Sequence, residues 1–160
     1  GMGLPNGIAF SPDQKRMYVT DSYTREIHQY DYDVKTGAAK NRRLLVRVPD
    51  TEGTPDGMTV DAEGYIWSAQ WYGYCVARYD PDGNVDFRLP VPSGQTSSVM
   101  FGGPDLTDIY VTSAAEVVRL STAPKGYDFD APHNGSVYRF NLGIRGLPEH
   151  IADIVISQNL

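Results

Sequence analysis

An all-β fold of about three four-stranded antiparallel sheets is predicted for this chain by three observations. A block of sequence recurs about every 50 residues. Turn formers stand beside strand formers, with Gly 16, Pro 11 and Tyr 11 among 160 residues. No segment sustains the 3.6-residue apolar period of an amphipathic helix.

The repeat is read by superposing the chain on itself. Pro5-Asn6-Gly7-Ile8-Ala9-Phe10-Ser11 lies over Pro55-Asp56-Gly57-Met58-Thr59-Val60-Asp61. With one residue inserted in the first copy, Met17-Tyr18-Val19 falls over Ile66-Trp67-Ser68, and Ile27-His28-Gln29-Tyr30 falls over Val76-Ala77-Arg78-Tyr79. A looser third copy places Thr96 to Phe101 on the first strand, Asp108 to Thr112 on the second and Gly135 to Phe140 on the third. That copy carries an insertion from about Ala115 to Asn134. Outer strands are expected at Arg43 to Val48 and Val85 to Leu89, with turns at Ser11-Pro12-Asp13, Lys35-Thr36-Gly37, Ala62-Glu63-Gly64 and Asp80-Pro81-Asp82-Gly83.

A period of this length belongs to the blades of a β-propeller. The expected organisation is one domain over residues 1–160 with blades at approximately 5–50, 51–95 and 96–155. Three blades leave a physical problem. A propeller hides its sheet faces by closing a ring, usually of four to eight blades. An open arc exposes one face at each end. A missing N-terminal half, a second copy of this chain or a different packing must cover them.

Bulk composition narrows the partners. Hydrophobic content is 41%, charged content 21% and net charge −6, with no basic run beyond Arg42-Arg43. Binding to a phosphate backbone or an anionic membrane surface needs concentrated positive charge, so nucleic acid and membrane are not expected partners. No apolar stretch reaches the length of a membrane-spanning helix. Cys75 stands alone, which rules out an internal disulfide framework and fits a reducing compartment. Gly1-Met2 reads as a cleavage scar ahead of an initiator, no secretory leader follows, and the expected location is cytoplasmic.

The ordered strings Pro5-Asn6-Gly7-Ile8-Ala9-Phe10-Ser11, Met17-Tyr18-Val19-Thr20-Asp21-Ser22, Pro55-Asp56-Gly57-Met58, Asp61-Ala62-Glu63-Gly64-Tyr65-Ile66-Trp67, Tyr110-Val111-Thr112-Ser113-Ala114 and Gly143-Ile144-Arg145-Gly146-Leu147 span nearly the whole chain. Their succession resembles the C-terminal half of the SMP-30/gluconolactonase/regucalcin family. The resemblance implies half of a six-bladed ring holding one divalent cation in its central channel, Ca²⁺ or Zn²⁺ with Mg²⁺ possible. It implies that Asn6 and Asp56 are metal ligands. A third ligand, a glutamate, and the Arg and Asn residues that contact substrate lie in the family's first half and have no counterpart here. The implied substrate is a small-molecule lactone of sugar type, and the implied chemistry is its metal-dependent hydrolysis.

The residues support that chemistry on their own terms. Asn6 and Asp56 open the first strands of adjacent repeats, so both side chains are expected to converge on the axis. An amide carbonyl and a carboxylate are hard oxygen donors suited to Ca²⁺ or Mg²⁺ and tolerated by Zn²⁺. Such a cation polarises a carbonyl or acidifies a water, and Asp56 is also the candidate catalytic base. The alternative for Asp56 is a plain turn, since Asp-Gly is an everyday turn dipeptide and Pro81-Asp82-Gly83 repeats the same three residues between outer strands. Ring completion by a homodimer or by an N-terminal half is expected to be needed for activity. A non-catalytic propeller fragment or binding module is the alternative, and a propeller hydrolase of phosphotriesters or aryl esters is a third reading.

The remaining candidates read as structural. Asp21 and Gln70 hold matching places beside Trp71 and Tyr72, where aromatics either face a sugar ring or pack between blades. His28, His133 and His150 lack ligand spacing. Ser97 and Ser98 sit at the third copy's channel position without a nucleophile elbow. Cys75 is expected to be a small apolar filler.

Overall fold

Alternation of buried and exposed side chains, broken by tight turns, sets the strands. The computed structural model describes residues 1–131 and 135–149, and among those residues there are strands and turns but no helix. The first sheet runs in the order β1 (Pro5–Phe10), β2 (Arg16–Asp21), β3 (Glu26–Asp33) and β4 (Ala38–Arg47), and the second β5 (Thr54–Val60), β6 (Ile66–Trp71), β7 (Cys75–Tyr79) and β8 (Val85–Pro90). The third contains β9 (Thr96–Gly102), β10 (Asp108–Ser113) and β11 (Val137–Asn141) in the order β11-β10-β9. All pairings are antiparallel. Two four-stranded blades and a third with three described strands match the predicted all-β half-propeller. The expected fourth strand of the third blade, and His133 and His150, lie outside the described residues.

Two apolar layers hold the blades together. Ala9, Tyr18, Ile27 and Val46 of the first sheet meet Met58, Val60, Ile66, Ala77 and Tyr79 of the second. The second sheet's other face carries Trp67, Val76 and Leu89 against Val99, Phe101, Ile109 and Val111 of the third. Alternation explains how one sheet serves two cores: Ile66 and Trp67 are neighbours in sequence and point to opposite faces. Trp67 makes edge-on contacts with Phe87 and Phe101 at centroid distances of 5.5 and 5.3 Å. The return segment after β11 docks close behind, because Gly146 lacks a Cβ that would stand 2.2 Å from that of Phe101.

The far end of the second blade is fixed by charge. Asp61 is fully buried and accepts bonds from the backbone N–H of Glu63 and Tyr65 at 3.0 Å, from the Trp67 indole at 2.8 Å and from Arg78 at 2.7 Å. Arg78 also reaches Glu63 and Asp86, both at 2.6 Å, and lies 3.7 Å from the Tyr65 ring centroid. Removing one partner of a buried pair leaves the other charge stranded, at a cost of about 3–5 kcal/mol. Arg78→Ala is therefore expected to lower the unfolding free energy by about 3 kcal/mol or more, read from urea denaturation; a loss below about 1 kcal/mol would contradict this role.

Candidate functional site

Each blade begins with the same irregularity. In β1 the register against β2 slips between Pro5 and Ile8, and in β5 the register against β6 slips between Pro55 and Met58. In β9 the slip falls between Thr96 and Ser98, opposite Ser113 and Thr112 of β10. One extra residue in each inner strand is a β-bulge, which bends the strand and re-aims the side chains within it. The bulged residues are Asn6-Gly7, Asp56-Gly57 and Ser97. The repeat detected in sequence is thus a repeat of this bulge.

Close approach of the inner strands brings the bulges together. A Cβ on Gly7 would stand 2.5 Å from the Asp56 carbonyl oxygen and 2.6 Å from the Met58 nitrogen. A Cβ on Gly57 would stand 2.6 Å from Ser98 Oγ and 2.8 Å from the Ser97 carbonyl oxygen. Only glycine allows such contact. The neighbouring side chains then meet, and the Asn6 amide acts on the Asp56 carboxyl, favouring its charged form. The expected convergence of Asn6 and Asp56 is present in the structure.

Asp56 is half-buried, and burial pushes its carboxyl up from 3.8 to about 7, with the Asn6 hydrogen bond pulling weakly the other way. Asp82 is the contrast. Its Pro-Asp-Gly lies in the exposed β7–β8 turn, where Asp80 accepts from the Asp82 and Asn84 backbone at 3.0 and 2.8 Å and Gly83 takes φ +88°. The same three residues give a surface turn in one place and a desolvated carboxyl in the other.

The donor set fits a hard cation in part. An amide and one carboxylate are oxygen donors, Ser97 adds a hydroxyl 2.8 Å from Thr112 Oγ1, and Ca²⁺ takes six to eight oxygens. Among the described residues no three His, Cys, Asp or Glu side chains cluster as a metal site. Asn6 and Asp56 by themselves offer fewer oxygens than such a shell requires.

The other singled-out residues are structural here. Burial pushes the Asp21 carboxyl up, but the N–H groups of Gly3, Leu4, Thr24 and Tyr23 more than offset this and hold it low. Gln70 is buried and donates to Ser68 at 3.2 Å. His28 lies 3.0 Å from Glu26 and 2.6 Å from Arg42, and burial and Arg42 hold its imidazole below its usual value. Burial pushes the Cys75 thiol up to about 11, as befits an inert filler.

Sequence reasoning missed the insertion's role. Residues 115–131 strap the rim next to the bulges: Arg25 and Thr54 both donate to the Thr122 carbonyl, and Gln95 donates to the Glu116 carbonyl at 2.6 Å. Tyr72 donates to the Val118 carbonyl at 2.5 Å and packs on Tyr127 at a centroid distance of 4.6 Å. Of the two readings for the aromatics beside Gln70, Tyr72 takes packing. A cleft of about 480 Å³ lies under the strap between Glu52, Gln70, Arg88 and Lys125. Tyr127 and Phe129 within the insertion were the available signal.

Comparison with known proteins follows the same geometry. Residues 1–115 match the family model described as SMP-30/Gluconolactonase/LRE-like region. The chain is 43% identical over 154 residues to a pentonolactonase of Haloferax volcanii, covering 96% of this chain and 53% of that protein. It is 38% identical to the regucalcin of Xenopus laevis, covering 90% and 47%. The crystal structure of a calcium-binding protein, regucalcin, from Agrobacterium tumefaciens superposes with a TM-score of 0.78 at 33% identity, covering 91% and 48%. The chain spans about half the length of the curated relatives it matches. No helix among the described residues is long and apolar enough to cross a membrane.

A buried carboxyl raised in the native state destabilises it as pH rises from about 4, and the penalty is complete above about 7. Asp56→Asn removes that penalty. The variant is expected to gain at least about 1 kcal/mol over wild type at pH 8 and little at pH 4, read from thermal melts in chelator. An equal gain at both values would show that Asp56 titrates normally.

Proposed function

The chain belongs to the SMP-30/gluconolactonase/LRE-like family, and from that footing we propose that it supplies the Asn6–Asp56 half of a metal-dependent lactonase acting on a sugar-type lactone. The observation that carries the reading is the close approach of two adjacent bulges, which sets Asn6 beside a desolvated Asp56. The pentonolactonase of Haloferax volcanii supports the substrate class, and the calcium-binding regucalcin of Agrobacterium tumefaciens supports a divalent cation. The unpaired Cys75 thiol suits a cytoplasmic setting for this activity.

Asn6 and Asp56 would hold the cation, Ca²⁺ or Zn²⁺ with Mg²⁺ also compatible, through the amide and carboxylate oxygens. When bound, the cation supplies Lewis acidity to a carbonyl or a water. Asp56 acts as general base: its carboxylate takes a proton from the attacking water while the water oxygen bonds to the lactone carbonyl carbon. The ring C–O bond then breaks, and the proton passes to the departing alkoxide. One water is consumed and one hydroxy acid is formed. Asn6 orients the carboxylate through its hydrogen bond, and the packed glycine backbones beside it exclude water from one side.

One observation favours a second reading, a non-catalytic fragment or binding module. Among the described residues no three His, Cys, Asp or Glu side chains come together around Asp56. Turnover separates the readings. Wild type is expected to hydrolyse pentono- and gluconolactones in the presence of Ca²⁺ or Zn²⁺, chelator to abolish the rate, and Asp56→Ala to lower kcat/KM by about 100-fold or more. A protein silent with every cation supports the binding module.

Protons compete with the cation for Asp56. Below about pH 7 the carboxyl is protonated, so cation affinity is expected to fall by about ten-fold per pH unit, read by calorimetric titration at pH 5, 6 and 8. An affinity unchanged across that range would remove Asp56 from the shell.

A further inference from the structure

Ser22, just after β2, is bonded towards both residues of the candidate site. It is 3% exposed, and its two donors serve two different blades. Its backbone N–H donates to the Leu4 carbonyl at 2.9 Å, two residues before Asn6. Its side-chain hydroxyl donates to the Pro55 carbonyl at 2.7 Å, one residue before Asp56. A single residue of the first blade thus holds the chain on its way into both bulges.

Neighbouring groups serve the same two segments. The Asp21 carboxylate accepts from the N–H groups of Gly3 and Leu4 at 2.8 and 3.1 Å, which fixes the backbone leading to Asn6. Arg25 donates to the carbonyls of Glu52 and Gly53 at 3.0 and 2.9 Å, which fixes the backbone leading to Asp56. Ser22 and Arg25 belong to one turn, where the Arg25 N–H meets the Ser22 carbonyl at 3.4 Å. The β2–β3 turn therefore grips the second blade by the carbonyls of Glu52, Gly53 and Pro55.

A buried serine that satisfies a buried carbonyl is ordinary structural chemistry. The repeat separates this one from a general fastener. Asp21 pairs with Pro5 as Gln70 pairs with Pro55, so Ser22 corresponds to Trp71 in the second blade. The Trp71 indole N–H has no hydrogen-bond partner among the described residues. The Thr96 hydroxyl at that junction turns back to the Ser93 carbonyl at 2.9 Å. A fastener needed by every pair of blades would recur there. The hydroxyl bridge stands instead at the junction where Asn6 and Asp56 meet.

We propose that Ser22 is a positioning residue of the site, setting Asn6 and Asp56 against each other by holding the Leu4 and Pro55 carbonyls. A bulge aims its side chains through a local kink, and bonds to the flanking backbone hold that kink in place. In this role Ser22 acts through Asn6 and Asp56 and touches neither substrate nor cation. Its effect on turnover rests on the lactonase reading, whereas its effect on the order of the bulge does not.

Ser22→Ala tests the assignment, with Ser11→Ala as the comparison. Ser11 is a buried serine just beyond the other end of β1, and its hydroxyl bonds Asp13 and the Arg16 backbone. Hydrogen exchange read by mass spectrometry follows the peptides over residues 52–58 and 65–71. Ser22→Ala is expected to speed exchange in the first by about ten-fold or more and to leave the second at the wild-type rate. With a pentonolactone and Ca²⁺ or Zn²⁺, it is expected to lower kcat by about ten-fold or more while KM stays within about two-fold. Ser11→Ala is expected to change none of these. Exchange over 52–58 at the wild-type rate in Ser22→Ala overturns the proposal. Fast exchange in both peptides overturns it as well, since the loss is then global, and so does an equal effect of Ser11→Ala. An active wild type whose kcat survives Ser22→Ala also overturns it. A wild type silent with every cation ends the lactonase reading and leaves the exchange rates to decide the positioning.

Discussion

The contact between neighbouring inner strands at Gly7 and Gly57 sets the geometry on which the rest of the structure depends. At both positions the space that a Cβ would fill is occupied by backbone or side-chain atoms of the next blade, at 2.5 and 2.6 Å. Blades touching there must splay outward, and the two apolar layers fill the resulting wedges. The contact also decides where Asn6 and Asp56 aim, because each precedes its glycine within the bulge. Ser98 takes the glycine's place in the third blade, where it is exposed and no further inner strand approaches among the described residues. The bulge, the blade angle and the pairing of two polar side chains are consequences of one packing constraint.

Two carboxylates in the second blade show how differently the fold treats the same group. Asp61 is fully buried and receives two backbone N–H groups, an indole N–H and the Arg78 guanidinium. Asp56, five residues earlier, is desolvated with the Asn6 side chain as the partner that offsets it. Burying charge without compensation is costly, so the fold compensates Asp61 fully and leaves Asp56 without a counter-charge of its own. Asp21 reinforces the contrast, since backbone N–H groups alone keep its carboxyl low on the same rim.

The blade repeat was legible because it encodes what every blade needs: a bulge, alternating core residues and a turn at each end. Asn6 and Asp56 were legible through that repeat and not through their own dipeptides, as Asp82 shows with identical neighbours in an exposed turn. The strap of residues 115–131 was visible only as an interruption. Its anchors are largely the carbonyls of Glu116, Val118 and Thr122, gripped by Arg25, Thr54, Tyr72 and Gln95 from other blades. Backbone acceptors are present at every residue and leave no signature in a sequence. The cleft beneath it was hidden for the same reason.

Incomplete electrostatics and incomplete packing meet in this arc. Ile8, Phe10 and Met17 of the first blade stand where the second and third blades carry core residues, and Asp56 with Asn6 offers too few oxygens to make up a Ca²⁺ shell. A propeller satisfies both needs by one operation, because closing the ring covers the end faces and sets further inner strands around the axis. Where a ring closes on the first blade, the element that packs on Ile8 is therefore also the one that lines the channel beside Asn6.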